Sequence, residues 1–123
     1  MQYALLFYTT ETFDSLPPAE QQDWLAQMTA WRKSLADAGV LRVGLRLAPS
    51  ATATSVRRDG GEVLVTDGPF AETKEILAGF MLVDCADLDA ALGWAQRCPI
   101  TRLGTVEVRP EHPEGTPRAP GVS

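Results

Sequence analysis

Two strand-length stretches of this chain are apolar on both faces, and two others alternate. Residues 2–9 (Gln-Tyr-Ala-Leu-Leu-Phe-Tyr-Thr) and residues 76–83 (Ile-Leu-Ala-Gly-Phe-Met-Leu-Val) carry almost no polar position. Strands of that kind need cover on both sides and belong in the middle of a sheet. Residues 40–47 and 105–109 behave differently. In the first, Leu41, Val43, Leu45 and Leu47 fall on one face and Arg42, Gly44 and Arg46 on the other. In the second, Val106 and Val108 point inward. Half-buried strands alternate in this way and suit sheet edges. The pattern predicts a sheet with the first strand and the 76–83 strand at its centre.

Helices fill the gaps. Leu16-Pro17-Pro18-Ala19-Glu20 reads as a helix entry with Ser15 as N-cap. Trp24, Met28, Trp31 and Leu35 then recur at helical spacing, and Ala38-Gly39 supplies a left-handed exit. Those four side chains read as core. Asp87 opens a second helix through Arg97, with Leu88, Leu92 and Ala95 on one side. The acids Asp84, Asp87 and Asp89 read as its dipole-complementing entry. Residues 54–58 and 62–66 are short strand-like runs joined by Asp59-Gly60-Gly61, a hairpin signal.

Strand, helix, strand therefore occurs twice, with a hairpin between. The predicted fold is α+β: a ferredoxin-like βαββαβ sandwich with an extra β-hairpin, occupying residues 1–110. Residues 111–123, rich in Pro and Gly, form a C-terminal tail, mobile or lying on a neighbour. Such a fold has helices on one sheet face only, yet its central strands are apolar on both. A second copy of the same sheet is the simplest cover. We therefore expect a homodimer, with Arg42, Arg46 and Glu107 projecting into the interface or a cavity in it.

Composition removes several chemistries. The chain has 123 residues, a formal net charge of −5 and no apolar run of membrane-spanning length. An acidic balance is poorly suited to phosphate backbones, so no nucleic acid and no membrane partner is expected. The start lacks a basic n-region, which points to a cytoplasmic location. Cys85 and Cys98 show no metal-ligand spacing and read as two buried thiols. His112, the single histidine, lies in the tail. A Ser-His-Asp triad, a Cys-His dyad or a zinc centre lacks its residues here, so no cofactor and no metal is expected.

The most distinctive stretch is Thr66-Asp67-Gly68-Pro69-Phe70-Ala71-Glu72-Thr73-Lys74-Glu75. With Ala51-Thr52-Ala53-Thr54-Ser55-Val56-Arg57, Ala78-Gly79-Phe80, Asp87-Leu88-Asp89-Ala90-Ala91 and Val106-Glu107-Val108-Arg109-Pro110, it resembles the DGPF-motif branch of the YCII-related domain family. The resemblance runs from Gln2 to about Pro110. It implies a dimeric α+β barrel without a settled activity, and an association with extracytoplasmic-function sigma factors. It also implies a His–Asp pair in the wider group, which the position of His112 prevents carrying over.

The motif's chemistry has two readings. In the first it shapes its own loop: Asp67 caps backbone N–H groups, Gly68 takes an unusual backbone angle, Pro69 stiffens the exit and Phe70 plugs an apolar hole. Gly79 counts with these structural positions. In the second, Asp67 is a carboxylate base in a cleft where Arg46, Arg57, Glu72, Lys74, Glu75 and Tyr8 bind a small polar or anionic organic ligand. Charge supports complementarity: residues 32–58 hold six bases and one acid, residues 59–75 five acids and one base. The alternatives are a regulatory accessory to a sigma factor and a non-catalytic scaffold dimer.

Overall fold

Strand β1 (Gln2–Thr9) buries every second residue. Tyr3, Leu5, Phe7 and Thr9 point inward, while Ala4, Leu6 and Tyr8 face the other way and stay partly covered. The computed structural model describes residues 1–10, 13–71 and 73–117. After β1 come helix α1 (Pro18–Asp37), β2 (Leu41–Arg46), β3 (Thr54–Asp59), β4 (Glu62–Asp67), β5 (Ile76–Asp84), α2 (Leu88–Gln96) and β6 (Gly104–Pro110). The main sheet has the order β2-β5-β1-β6, with all neighbours antiparallel. The two runs apolar on both faces are its central strands. No helix among the described residues is long and apolar enough to cross a membrane.

Both helices pack on one face. Leu35 of α1 and Ala91 of α2 are fully buried against Leu5 and Val83. Phe7 meets Trp31 edge-on, with ring centroids 6.1 Å apart. The Trp31 Nε1–H donates to the Trp94 carbonyl at 3.1 Å, tying α1 to α2. Cys85 and Cys98 are buried free thiols. Asp87 caps α2 by accepting from the Ala90 N–H at 2.9 Å. The start of α1 departs from expectation: its N-cap is Pro17, not Ser15. Pro18 pushes the residue before it into extended backbone (Pro17 ψ is 147°), so the helix cannot begin earlier.

A second difference has larger consequences. In β2, Leu41 pairs with Val83 but Val43 pairs with Leu82, so Arg42 is an extra residue. This β-bulge reverses the faces of everything after it. Val43 and Leu45 lie on the sheet face away from the helices, about half exposed (50% and 52%). Gly44 and Arg46 lie on the helix side. A Cβ on Gly44 would sit 3.1 Å from the Arg32 guanidinium of α1. Arg46 is therefore not on the face where the alternation placed it. Arg42 pairs with Asp84 at 3.2 Å at the sheet's end, and only Glu107 of the three expected polar residues stands on the open face.

That open face combines Leu6, Phe80 and Leu82 with Val43, Leu45 and Leu77. Its polar border is β6, through Thr105, Glu107 and Arg109. Strands β3 and β4 form a separate two-stranded ribbon. Its turn residues Gly60 and Gly61 both have positive φ (59° and 90°), as a two-residue hairpin turn requires.

Candidate functional site

Two cavities open at the same end of the sheet, one on each face. The first, about 640 Å³, is a shallow basin on the open face. Tyr8, Thr10, Thr73, Lys74, Glu75, Thr105 and Glu107 line it. Strand register brings them together: Tyr8 stands opposite Thr105, two positions from Leu6 and Glu107 on the same face. The Tyr8 hydroxyl donates to Glu107 Oε1 at 3.4 Å. Arg109 Nε lies 3.5 Å from the same carboxylate oxygen. Thr105 Oγ1 donates to Glu75 Oε2 at 3.1 Å, and the Thr73 hydroxyl donates to the Glu75 carbonyl. Three expected ligand residues, Tyr8, Lys74 and Glu75, thus share one basin.

The second cavity is a deeper cleft of about 840 Å³ between α1 and the helix face of β1, β2 and β5. Its walls are mostly apolar, with Phe7, Trp24, Leu25, Met28 and Met81 among them. Arg46 enters this cleft through the β2 bulge. Its Cζ lies 5.6 Å from the centroid of the Phe13 ring, a cation–π contact. Phe13 packs in turn on Trp24, with centroids 4.8 Å apart. The Trp24 Nε1 is out of reach of solvent and, among the described residues, has no hydrogen-bond partner. A buried donor without a partner is unusual. Asp14 is a carboxylate of the same wall.

Asp67, Arg57 and the Gly68-Pro69-Phe70 turn lie outside both cavities. Asp67 ends β4 and is exposed. Arg57 sits on the hairpin opposite Leu64, also exposed. Glu72 lies outside the described residues. The Gly68 turn is built locally: φ is 102°, its N–H donates to the Ala53 carbonyl at 2.7 Å, and its carbonyl accepts from Ser55 Oγ at 2.8 Å. Phe70, expected to plug an apolar hole, is 82% exposed instead, because the motif stands out from the main sheet. Gly79 has a steric reason: a Cβ there would come 2.6 Å from the Leu45 carbonyl oxygen.

Among the described residues three groups have displaced pKa values, and none of them lines a cavity. The N-terminal amine, hydrogen-bonded to Asp84 at 2.8 Å, holds that carboxyl below its usual range, helped by Arg42. Burial pushes the Cys85 thiol up and the Cys98 thiol up to about 11. Sequence reasoning did not single out Phe13, which lies in a stretch read as polar loop, and read Trp24 as core alone. The signal for Phe13 was its isolation: a large aromatic in a polar segment must find a surface to lie on.

Comparison with known proteins gives three findings. The YCII-related domain matches residues 1–112. An uncharacterised protein of Rhizobium meliloti is 42% identical over 113 residues, covering 89% of this chain and 91% of that protein. Among solved structures, the fold is similar to 5-chloro-2-hydroxyhydroquinone dehydrochlorinase from Burkholderia phenoliruptrix in complex with 2,5-dihydroxybenzoquinone. That match has a TM-score of 0.55 at 12% identity and covers 94% of this chain and 100% of the other.

Proposed function

We propose that this chain, which belongs to the YCII-related domain family, binds a small organic anion in the cleft between α1 and the sheet, acting as a homodimer paired through its open sheet faces. The observation that carries the reading is Arg46. Its guanidinium is set over an aromatic ring at a mostly apolar cleft of small-molecule size. A cation held over an aromatic ring in such walls orients a ligand by its negative group, while the apolar surface supplies most of the affinity. The 2,5-dihydroxybenzoquinone bound to the similarly folded dehydrochlorinase belongs to the same chemical class and supports the choice. The Thr66–Glu75 segment, read as the DGPF motif, serves here as the turn that joins the hairpin to β5.

The dimer rests on the apolar open face. Val43, Leu45 and Leu77 are 50%, 52% and 41% exposed beside Leu6, Phe80 and Leu82. Pairing two such faces would also wall the basin holding Tyr8, Lys74 and Glu75.

Titration with 2,5-dihydroxybenzoquinone, followed by its visible absorbance, tests the cleft. Arg46→Met is expected to weaken binding about tenfold or more, as loss of a charge-assisted hydrogen bond does. Asp67→Asn, outside both cavities, is expected to leave affinity unchanged. Equal affinity of Arg46→Met and wild type would overturn the reading. A loss confined to Asp67→Asn would transfer the site to the motif.

A further inference from the structure

Phe13, Trp24 and Arg46 form a chain of contacts whose middle member suits neither neighbour. Phe13 lies against Trp24 and beneath the Arg46 guanidinium. A phenyl ring gives Arg46 only its π face and gives the Trp24 indole N–H no acceptor. The N–H accordingly stays sealed in the cleft wall without a partner among the described residues. Sealing a donor away from acceptors costs free energy, so the arrangement holds a polar demand that the described residues leave unmet.

We infer that Phe13 is a resident plug in the cleft, and that a planar aromatic anion displaces it, presenting one oxygen to the Trp24 Nε1–H and another to Arg46. The inference rests on the cleft reading above and deepens it by naming the ligand's shape and two of its polar groups. A flat ring replaces the Phe13 ring at similar area, so little apolar contact is lost. A ring oxygen satisfies the indole donor, and an anionic oxygen replaces a cation–π contact with a charge-assisted hydrogen bond, which is the stronger interaction. Placement favours the exchange. Phe13 is only half-buried and precedes α1, whereas Trp24 and Arg46 are held by α1 and β2. The plug can therefore leave while the recognising groups stay in place. Trp24 is a specificity-determining residue in this account, and it selects ligands that carry an acceptor.

Two probes and two variants test it. The probes are 2,5-dihydroxybenzoquinone, a ring bearing oxygens, and toluene, a ring without any. Phe13→Ala is expected to bind both probes several-fold more tightly, since nothing has to be displaced. Trp24→Phe keeps an aromatic wall and removes the N–H. It is expected to weaken the quinone about tenfold and to leave toluene unchanged. Weaker binding of both probes by Phe13→Ala would make Phe13 a wall and overturn the plug. A Trp24→Phe variant that leaves the quinone unchanged, or weakens both probes alike, would remove the indole from recognition while the cleft stands. If neither probe binds wild type or Phe13→Ala, the cleft reading fails and this inference with it. Trp24→Phe takes away a donor that has no partner among the described residues and keeps an aromatic ring on the core, so its circular dichroism spectrum without probe should match wild type and certify the fold.

Discussion

Val43→Asp is the sharpest test of the open sheet face. Val43 is half exposed on that face, so its remaining half is what pairing would bury. Full burial of a Val or Leu side chain is worth about 1.5–3 kcal/mol, so the exposed half of Val43 accounts for roughly 1 kcal/mol. A twofold interface uses the residue twice, which brings the loss for a neutral polar replacement to about 2 kcal/mol, roughly 30-fold in dimer Kd. Aspartate adds the desolvation of two carboxylates among Leu and Phe side chains, several kcal/mol for each ion. Val43→Ser should therefore weaken the dimer about 30-fold, and Val43→Asp by about a thousandfold or more. Sedimentation velocity across a concentration series reads both. Neither change touches the core, which lies on the opposite face with Leu5, Leu35 and Val83, so near-ultraviolet circular dichroism should be retained. Val56→Asp is the comparison. Val56 is 67% exposed on the separate hairpin, and its replacement should leave assembly unchanged. Wild-type protein sedimenting as one 13.3 kDa chain at tens of micromolar would refute the pairing. So would a Val43→Asp variant as dimeric as wild type, or dimer loss in Val56→Asp alone.

Two further expectations concern stability. Gly79→Ala should lower the melting temperature by several degrees, because its Cβ would press 2.6 Å from a β2 carbonyl and overpacking costs about 1–3 kcal/mol. Gly93→Ala, in the interior of α2 with nothing within 4 Å, should raise it through about 0.5–1 kcal/mol of helix propensity, and equal shifts in both would contradict the packing described. The Cys98 thiol ionises near 11 when folded against an ordinary 9.0, so the native state keeps its proton longer than the unfolded chain. Below pH 9 both states are protonated and the group contributes nothing; from 9 towards 11 only the unfolded chain ionises, and urea midpoints should fall. Cys98→Ala should flatten that decline, and rapid labelling of native Cys98 by a thiol reagent at pH 8.5 would show that it is not buried.

What the sequence made legible was what each segment demands of its own surroundings. A run apolar on both faces needs cover on both, which placed β1 and β5 at the centre before any pairing was known. Helical spacing marked Trp31 and Leu35 because one face of α1 must be dry. The β2 bulge was illegible for a physical reason. Leu41, Val43 and Leu45 alternate with Arg42 and Gly44 as any strand does, and nothing local identifies Arg42 as extra. That is decided by pairing with β5, where Leu41 and Val43 meet adjacent residues Val83 and Leu82. The cleft was hidden in a similar way, since Phe13, Trp24 and Arg46 meet only after α1 has docked and β2 has reversed its faces. The candidate site and the candidate interface therefore have one origin. Without the extra residue, Arg46 would turn to the open face, while Val43 and Leu45 would turn under α1. The cleft would lose Arg46 and the open face two of its apolar side chains in the same slip.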